Sequence, residues 1–323
     1  MSPKRRKVST VEELLAAGYL HKGSDERFVI HRIPFGVPEL DEIVNGGLPR
    51  NRITIMTGEY SSGKSFLVQL IMKKVLEEDL QVAYVDTERT FDPVWWKQVG
   101  LDIDKVWVSQ PPNGEVAIDV VVKLAAEGFD VVALDSLAGL ISEEVMEESA
   151  AKNFIATQAK LVTRLMQKLI ATDHKAAIVC TNQLRSSIGP GPIDLMPGGW
   201  AQKYFGHLLL RTFRESWIDE NNEHVGFNMK VVVRKSKVGR GHRECILPFR
   251  FRGEIDVLSM LLDRALEAGL AEQVGPWYSI LGGERNLGRN KVLEMLGDKA
   301  LRKRLETALG EEEASSEGVE GNG

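Results

Sequence analysis

The chain has 323 residues, enough for one large domain and a smaller one around a sizeable core. Its 43% hydrophobic and 27% charged residues are ordinary for a soluble globular protein. No apolar run approaches the ~20 residues of a membrane span, and none follows the basic start Pro3-Lys4-Arg5-Arg6-Lys7-Val8 as a signal peptide requires. The net charge of −5 excludes a chain that is basic throughout, but basic residues crowd Lys230 to Arg252 while acidic ones crowd Glu143 to Glu148 and the tail from Glu311. A local basic surface for nucleic acid is therefore open. The two cysteines, Cys180 and Cys245, sit in strand-like runs with neither metal-ligand nor disulfide spacing, which points to a reducing cytoplasm.

In chain order, Ser9-Thr10-Val11-Glu12-Glu13 reads as a capping box that opens a short helix through Leu15. Phe28-Val29-Ile30 reads as a short strand, and residues 1–37 as an arm outside the core. From Pro38 to Ile255 strands alternate with helices. Strands are expected at Arg52–Thr57, Val82–Asp86, Asp130–Asp135 and Ala176–Thr181, and helices at Ser65–Leu76, Val116–Ala126 and Asn153–Ala171. Apolar runs without alternation mark strands buried on both faces, as in a parallel sheet covered by helices. The later strands, His207–Phe213, Phe227–Arg234 and Cys245–Phe251, follow one another through turns and suggest an antiparallel extension. Residues 256–310 read as a small α/β C-terminal domain with helices Val257–Ala268 and Lys291–Leu296 and the strand Pro276–Ile280. The Glu-, Ser- and Gly-rich residues 311–323 read as a disordered acidic tail.

Gly58-Glu59-Tyr60-Ser61-Ser62-Gly63-Lys64-Ser65 fits the phosphate-loop pattern G-x-x-x-x-G-K-[ST], with a strand before it and a helix after it. The glycines let backbone N–H groups wrap phosphates, and the helix N-terminus adds positive potential. Lys64 would reach the β- and γ-phosphates of ATP, and Ser65 would hold Mg²⁺ through its hydroxyl. Asp135, at the carboxyl end of a buried strand, is the second expected metal ligand. Glu88, just past the strand Val82–Asp86, is assigned as general base, with Asp86 as competitor. Thr181-Asn182-Gln183 ends the strand that starts at Ala176, where an amide could sense the γ-phosphate.

Taken together these residues resemble the RecA family of DNA strand-exchange recombinases from Pro38 to about Leu309. The likeness runs through Gly46-Gly47-Leu48-Pro49, the phosphate loop with Phe66, Val85-Asp86-Thr87-Glu88, Ser109-Gln110-Pro111, Leu134-Asp135-Ser136, Thr181-Asn182-Gln183-Leu184-Arg185, Gly198-Gly199, Ala201-Gln202-Lys203-Tyr204-Phe205 and Val233-Arg234-Lys235-Ser236-Lys237. The resemblance implies a P-loop ATPase core with a mostly parallel sheet flanked by helices. It also implies a homo-oligomeric helical filament with ATP between neighbouring subunits, Glu88 as catalytic glutamate and Gln183 as γ-phosphate switch. Lys235 and Lys237 would be cations that reach the neighbour's ATP. Asp92 and Trp95 match adenine-contacting positions, with Trp95 where the family usually has tyrosine.

By the same likeness two segments face single-stranded and homologous double-stranded DNA. The first is Glu144 to Phe154, including Glu147 and Glu148. The second is Leu184 to Gly199, where Arg185, Ser186, Ser187, Ile188, Gly198 and Gly199 are the expected contacts, together with Lys160 and Lys203. This second loop is slightly short for the family, carries Pro190, Pro192 and Pro197, and has no aromatic residue. Tyr60 stands where an acid is usual and Arg252 where a glycine is common. Phe28 to Ile30 are the expected polymerisation contact. Two other readings remain. One is a ring-forming ATPase of the KaiC or helicase kind, to which Phe35-Gly36-Val37-Pro38 is similar, and the other is a recombinase paralogue acting as a regulator. Residues 3–8 resemble a nuclear-import signal, but the bacterial-type core argues for the cytoplasm.

Overall fold

The computed structural model describes residues 10–147, 154–186 and 194–320. In the first half of the chain the elements are α1 (Val11–Ala16), β1 (Arg32–Ile33), α2 (Pro38–Ile43), β2 (Leu48–Pro49), β3 (Arg52–Gly58), α3 (Lys64–Glu77), β4 (Val82–Asp86), α4 (Pro93–Val99), β5 (Val106–Ser109), α5 (Gly114–Ala126), β6 (Val131–Asp135) and α6 (Glu143–Glu147). Then follow α7 (Phe154–Ala171), β7 (Ala177–Gln183), β8 (Arg185–Ser186), β9 (Asp194–Leu195), α8 (Ala201–Phe205), β10 (Leu208–Glu220), β11 (Glu223–Ser236), β12 (Glu244–Arg250) and β13 (Glu254–Ile255). The C-terminal elements are α9 (Val257–Glu267), β14 (Ala271–Val274), β15 (Trp277–Ile280), β16 (Asn286–Leu287), α10 (Arg289–Leu296) and α11 (Lys299–Glu320).

One nine-stranded sheet organises the molecule, in the order β13-β12-β11-β10-β3-β7-β6-β4-β5. From β10 to β5 neighbouring strands are parallel, while β11, β12 and β13 add on antiparallel. Successive residues of the central strands enter opposite layers. Met56, Tyr84, Ala133 and Val179 pack with α2, α3 and α4 on one face, whereas Ile55, Val85, Leu134 and Cys180 pack with α5 and α7 on the other. Both faces are covered, which is why these strands are continuous apolar runs. A third cluster joins α9, β14, β15, α10 and α11 through Leu262, Tyr278, Leu296, Leu305 and Leu309. Burial holds the thiols of Cys180 and Cys245 protonated, each pushed up to about 12.

Several local expectations are corrected. Phe28 closes a 3-10 turn capped by Asp25 and does not start a strand; it is 51% exposed, and the first strand is Arg32–Ile33. Ile33, Phe35 and Val37, read as arm, are buried in the first core. The β10–β11 hairpin is longer than the sequence suggested. Register shifts near Leu209, Arg214 and Ile218 interrupt its alternation, and Asn221 and Asn222, both at positive φ, make the tight turn. The four-residue β5 was not anticipated. The start of the first expected DNA loop is the helix α6. The backbone of α11, which Leu305 and Leu309 anchor in the third core, runs on into the acidic tail as far as Glu320. Among the described residues no helix is long and apolar enough to cross a membrane.

Candidate active site

Parallel strands direct their carboxyl ends to one edge of the sheet, where ligands bind in open α/β folds. That edge collects the expected groups. Gly58 at the end of β3 lies opposite Gln183 of β7, and Asp86 of β4 lies opposite Asp135 of β6. The phosphate loop turns tightly between β3 and α3. Gly63 has a φ of 90°, and a Cβ on Gly58 would sit 2.5 Å from both Ser62 Oγ and Thr212 Oγ1. Ser62 donates to Glu59 O at 2.8 Å and meets Thr212 Oγ1 of β10 at 2.7 Å, which braces the loop from the neighbouring strand.

Lys64 is buried, and its Nζ donates to Gly58 O at 3.1 Å and Glu59 O at 2.6 Å, inside the loop where phosphate oxygens would compete for the same donors. Burial lowers its pKa, and Asp135, Glu88 and Glu59 oppose that shift. Glu59, Tyr60, Ser61 and Ser65 are exposed. The ring of Phe66, expected among the nucleotide contacts, is packed 4.5 Å from that of Phe249, so only its backbone N–H is on offer. Asp135 is nearly buried and accepts from Thr181 Oγ1 at 2.5 Å and from Tyr84 Oη at 2.8 Å. Burial and Asp135 raise the Tyr84 phenol, so it stays a donor. These two hydroxyls fix the carboxylate while leaving it acceptor capacity. With Ser65 on the first turn of α3, the pair suits a magnesium ion that takes its remaining ligands from phosphates and water.

Asp86 and Glu88, the two candidates for the general base, differ in their surroundings. Asp86 is fully buried, and its carboxylate accepts from Glu88 N at 3.1 Å, Phe91 N at 2.9 Å and Gln110 Nε2 at 3.0 Å, so it shapes the loop. Glu88 is exposed; it accepts from the Ser136 hydroxyl and from Gln183 Nε2 at 3.3 and 3.4 Å. Asp92 caps α4 by accepting from Val94 N at 2.9 Å, and Trp95 donates to Gln69 Oε1 at 3.1 Å. Trp95 thus lies against α3, while Asp92 is open to solvent.

Past Gln183 the chain enters the expected DNA segment. Its ends are tied by the β8–β9 ladder, Arg185 to Leu195 and Ser186 to Asp194. Ser187, Ile188, Pro190, Pro192 and, in the first loop, Glu148 lie outside the described residues. Gly198 and Gly199, with φ of 84° and 74°, rest on Val162 and Ala159 of α7, on which Lys160 is exposed. A buried amide pair fastens this end to β7. Asn182 Nδ2 donates to Gln202 Oε1 at 2.8 Å and to Pro197 O at 2.9 Å, while Gln202 Nε2 donates to Pro197 O at 2.6 Å. Gln202→Leu strands these buried groups and is expected to cost about 1–3 kcal/mol, read as a lower urea midpoint at unchanged slope.

Lys235 and Lys237 lie elsewhere. Their ammonium groups hold the last carbonyls of α8: Lys235 donates to Lys203 O and, at 3.1 Å, to Gly206 O, and Lys237 donates to Tyr204 O at 2.6 Å. Lys235 pairs with Leu209, and Leu209 with Ile55, three residues before Gly58. That is about 10 Å short of the phosphate loop along the strand. Between these strands Ile53 N donates to His207 Nδ1 at 3.1 Å; burial and nearby cations depress this imidazole to about 4, which keeps it a neutral acceptor.

Sequence reasoning missed Ser136, Tyr84, Thr181, Thr212, Asn182 and Gln202 as parts of this machinery. Ser136, Thr181, Asn182 and Gln202 lie within motifs that carry the family likeness, whereas Tyr84 and Thr212 are brought in by strand pairing.

The family description "RecA N-terminal domain" matches residues 6–255. Protein RecA of Chlorobaculum parvum is 32% identical over 297 residues, which covers 90% of this chain and 86% of that protein. Protein RecA of Thermus aquaticus is 32% identical over 292 residues, 88% of this chain and 85% of that one. Protein RecA of Acholeplasma laidlawii is 32% identical over 301 residues, 90% of each.

Proposed function

The chain belongs to the RecA family, and from that premise we propose that it is an ATP-dependent recombinase that assembles as a helical filament on single-stranded DNA and catalyses homologous pairing and strand exchange. The observation that carries this reading is Gln183. Its amide touches the Glu88 carboxylate on the nucleotide side, and two residues later the chain enters the ladder that carries the DNA loop.

ATP would lie on the phosphate loop with its phosphates under the N–H groups of residues 61–66 and the Lys64 ammonium. Ser65 and Asp135 would hold Mg²⁺, which supplies charge neutralisation at the phosphates when bound. Glu88 would orient and deprotonate a water for in-line attack on the γ-phosphorus, so that the P–O bond to ADP breaks and inorganic phosphate leaves. Gln183, released from Glu88 toward the γ-phosphate, would transmit occupancy to the DNA segment. Arg185, Ser186, Ser187 and Ile188, with the backbone at Gly198 and Gly199, would grip the strand, and Lys160 and Lys203 would add phosphate contacts.

Lys235 and Lys237 are too far along the sheet to serve their own phosphate loop, which supports a role at the ATP of a neighbour. Assembly has surfaces to use: the exposed Tyr19, Phe28 and Val29 of the arm, and the edge strand β5 with Trp107 and Val108 exposed. A head-to-tail contact between such different surfaces makes an open helix unless its rotation closes a ring. The cytoplasm is the compartment this reading implies. The test is ATP hydrolysis with and without single-stranded DNA. Stimulation by DNA is expected, and hydrolysis indifferent to DNA would favour the ring-forming ATPase.

A further inference from the structure

The end of the second loop presents an aromatic side chain that the mechanism above does not use. Trp200 is 69% exposed, in a segment whose preceding loop has no aromatic residue of its own. Its backbone is nevertheless held firmly. The buried Gln202 donates to Pro197 O at 2.6 Å and to Gly199 O at 3.2 Å, and Gly198 and Gly199 lean on α7. What sets this ring apart from the other exposed aromatic side chains is its place, at the end of the second DNA segment and beside cations.

The charge around the ring narrows the ligand. The Lys203 ammonium lies over the indole, 4.5 Å from its centroid, and among the described residues no other ring or cation stacks on it. Lys160 is exposed on α7 next to Ala159, the residue against which Gly199 packs. An exposed aromatic face beside ammonium groups is a combination that binds single strands, with the face taking a base and the cations the phosphates.

We propose that Trp200 stacks on a base of the bound single strand, with Lys203 set to meet the adjoining phosphate. This rests on the recombinase reading and adds to it an aromatic contact that the loop itself lacks. Stacking has no demand for a particular base, so the contact suits a protein that leaves sequence reading to base pairing.

The test titrates the full chain, with ATP and at fixed salt, against oligothymidylate and against an abasic oligonucleotide of the same length. Trp200→Ala is expected to weaken oligothymidylate binding about tenfold, with the salt slope and the abasic affinity unchanged. Trp200→Phe should retain most of the affinity, and an unchanged melting temperature for both variants shows that the fold is kept. Equal affinity of Trp200→Ala and the parent chain for oligothymidylate would overturn the inference. So would equal losses on both probes, which would assign the ring to a contact between copies of the chain. Failure of the parent chain to bind oligothymidylate at all would remove the recombinase reading itself, and this inference with it.

Discussion

Glu88→Gln is expected to slow ATP turnover by about 10²–10⁴-fold while leaving filaments on single-stranded DNA intact. The substitution keeps the size of the side chain, and one oxygen remains to accept from the Ser136 hydroxyl. The loop backbone is held independently by the buried Asp86 carboxylate, which accepts from Glu88 N, Phe91 N and Gln110 Nε2. What is lost is the carboxylate proposed to take the proton of the attacking water. Steady-state phosphate release and filament imaging on one preparation check both halves, and near-normal turnover would remove Glu88 as the base. Asp86→Asn should instead act through the fold, because the side chain it replaces is fully buried and triply bonded.

Joint replacement of Lys235 and Lys237 by Ala is expected to lower turnover about 10³-fold, the scale on which a cation supplied from outside acts in phosphoryl transfer. Each ammonium holds carbonyls at the end of α8 within its own chain, so a loss of activity alone would not identify its cause. Mixing resolves this. When the double variant is combined with Glu88→Gln, some interfaces pair an intact Glu88 on one chain with intact lysines on the next. If the lysines act across the boundary, the mixture hydrolyses ATP faster than either variant alone. A mixture no better than the sum of its parts would confine them to a structural role at α8.

The central strands were legible because burial on both faces leaves an unbroken apolar run, and the phosphate loop because its glycines and lysine are contiguous. The parts that position the chemistry were not legible. Ser62 meets Thr212, and Asn182 meets Gln202, only once β3, β7 and β10 stand side by side. Asp86 and Glu88 are two residues apart, and only the fold shows that the first carboxylate is buried and bonded to Glu88 N, Phe91 N and Gln110 Nε2 while the second is exposed. The hairpin β10–β11 was underestimated for a related reason, since its bulges shift which residues face the core. Phe28 was misread because a short apolar triplet is as compatible with a capped turn as with a strand.

The measurement that bears most directly on the account is strand exchange followed in the same tubes as ATP hydrolysis, with the chain loaded on a circular single strand and offered homologous or unrelated linear duplex. Joint molecules that require ATP and homology are expected, together with hydrolysis stimulated by the single strand. Hydrolysis unchanged by DNA, with no joint molecules from the homologous duplex, would contradict the recombinase reading.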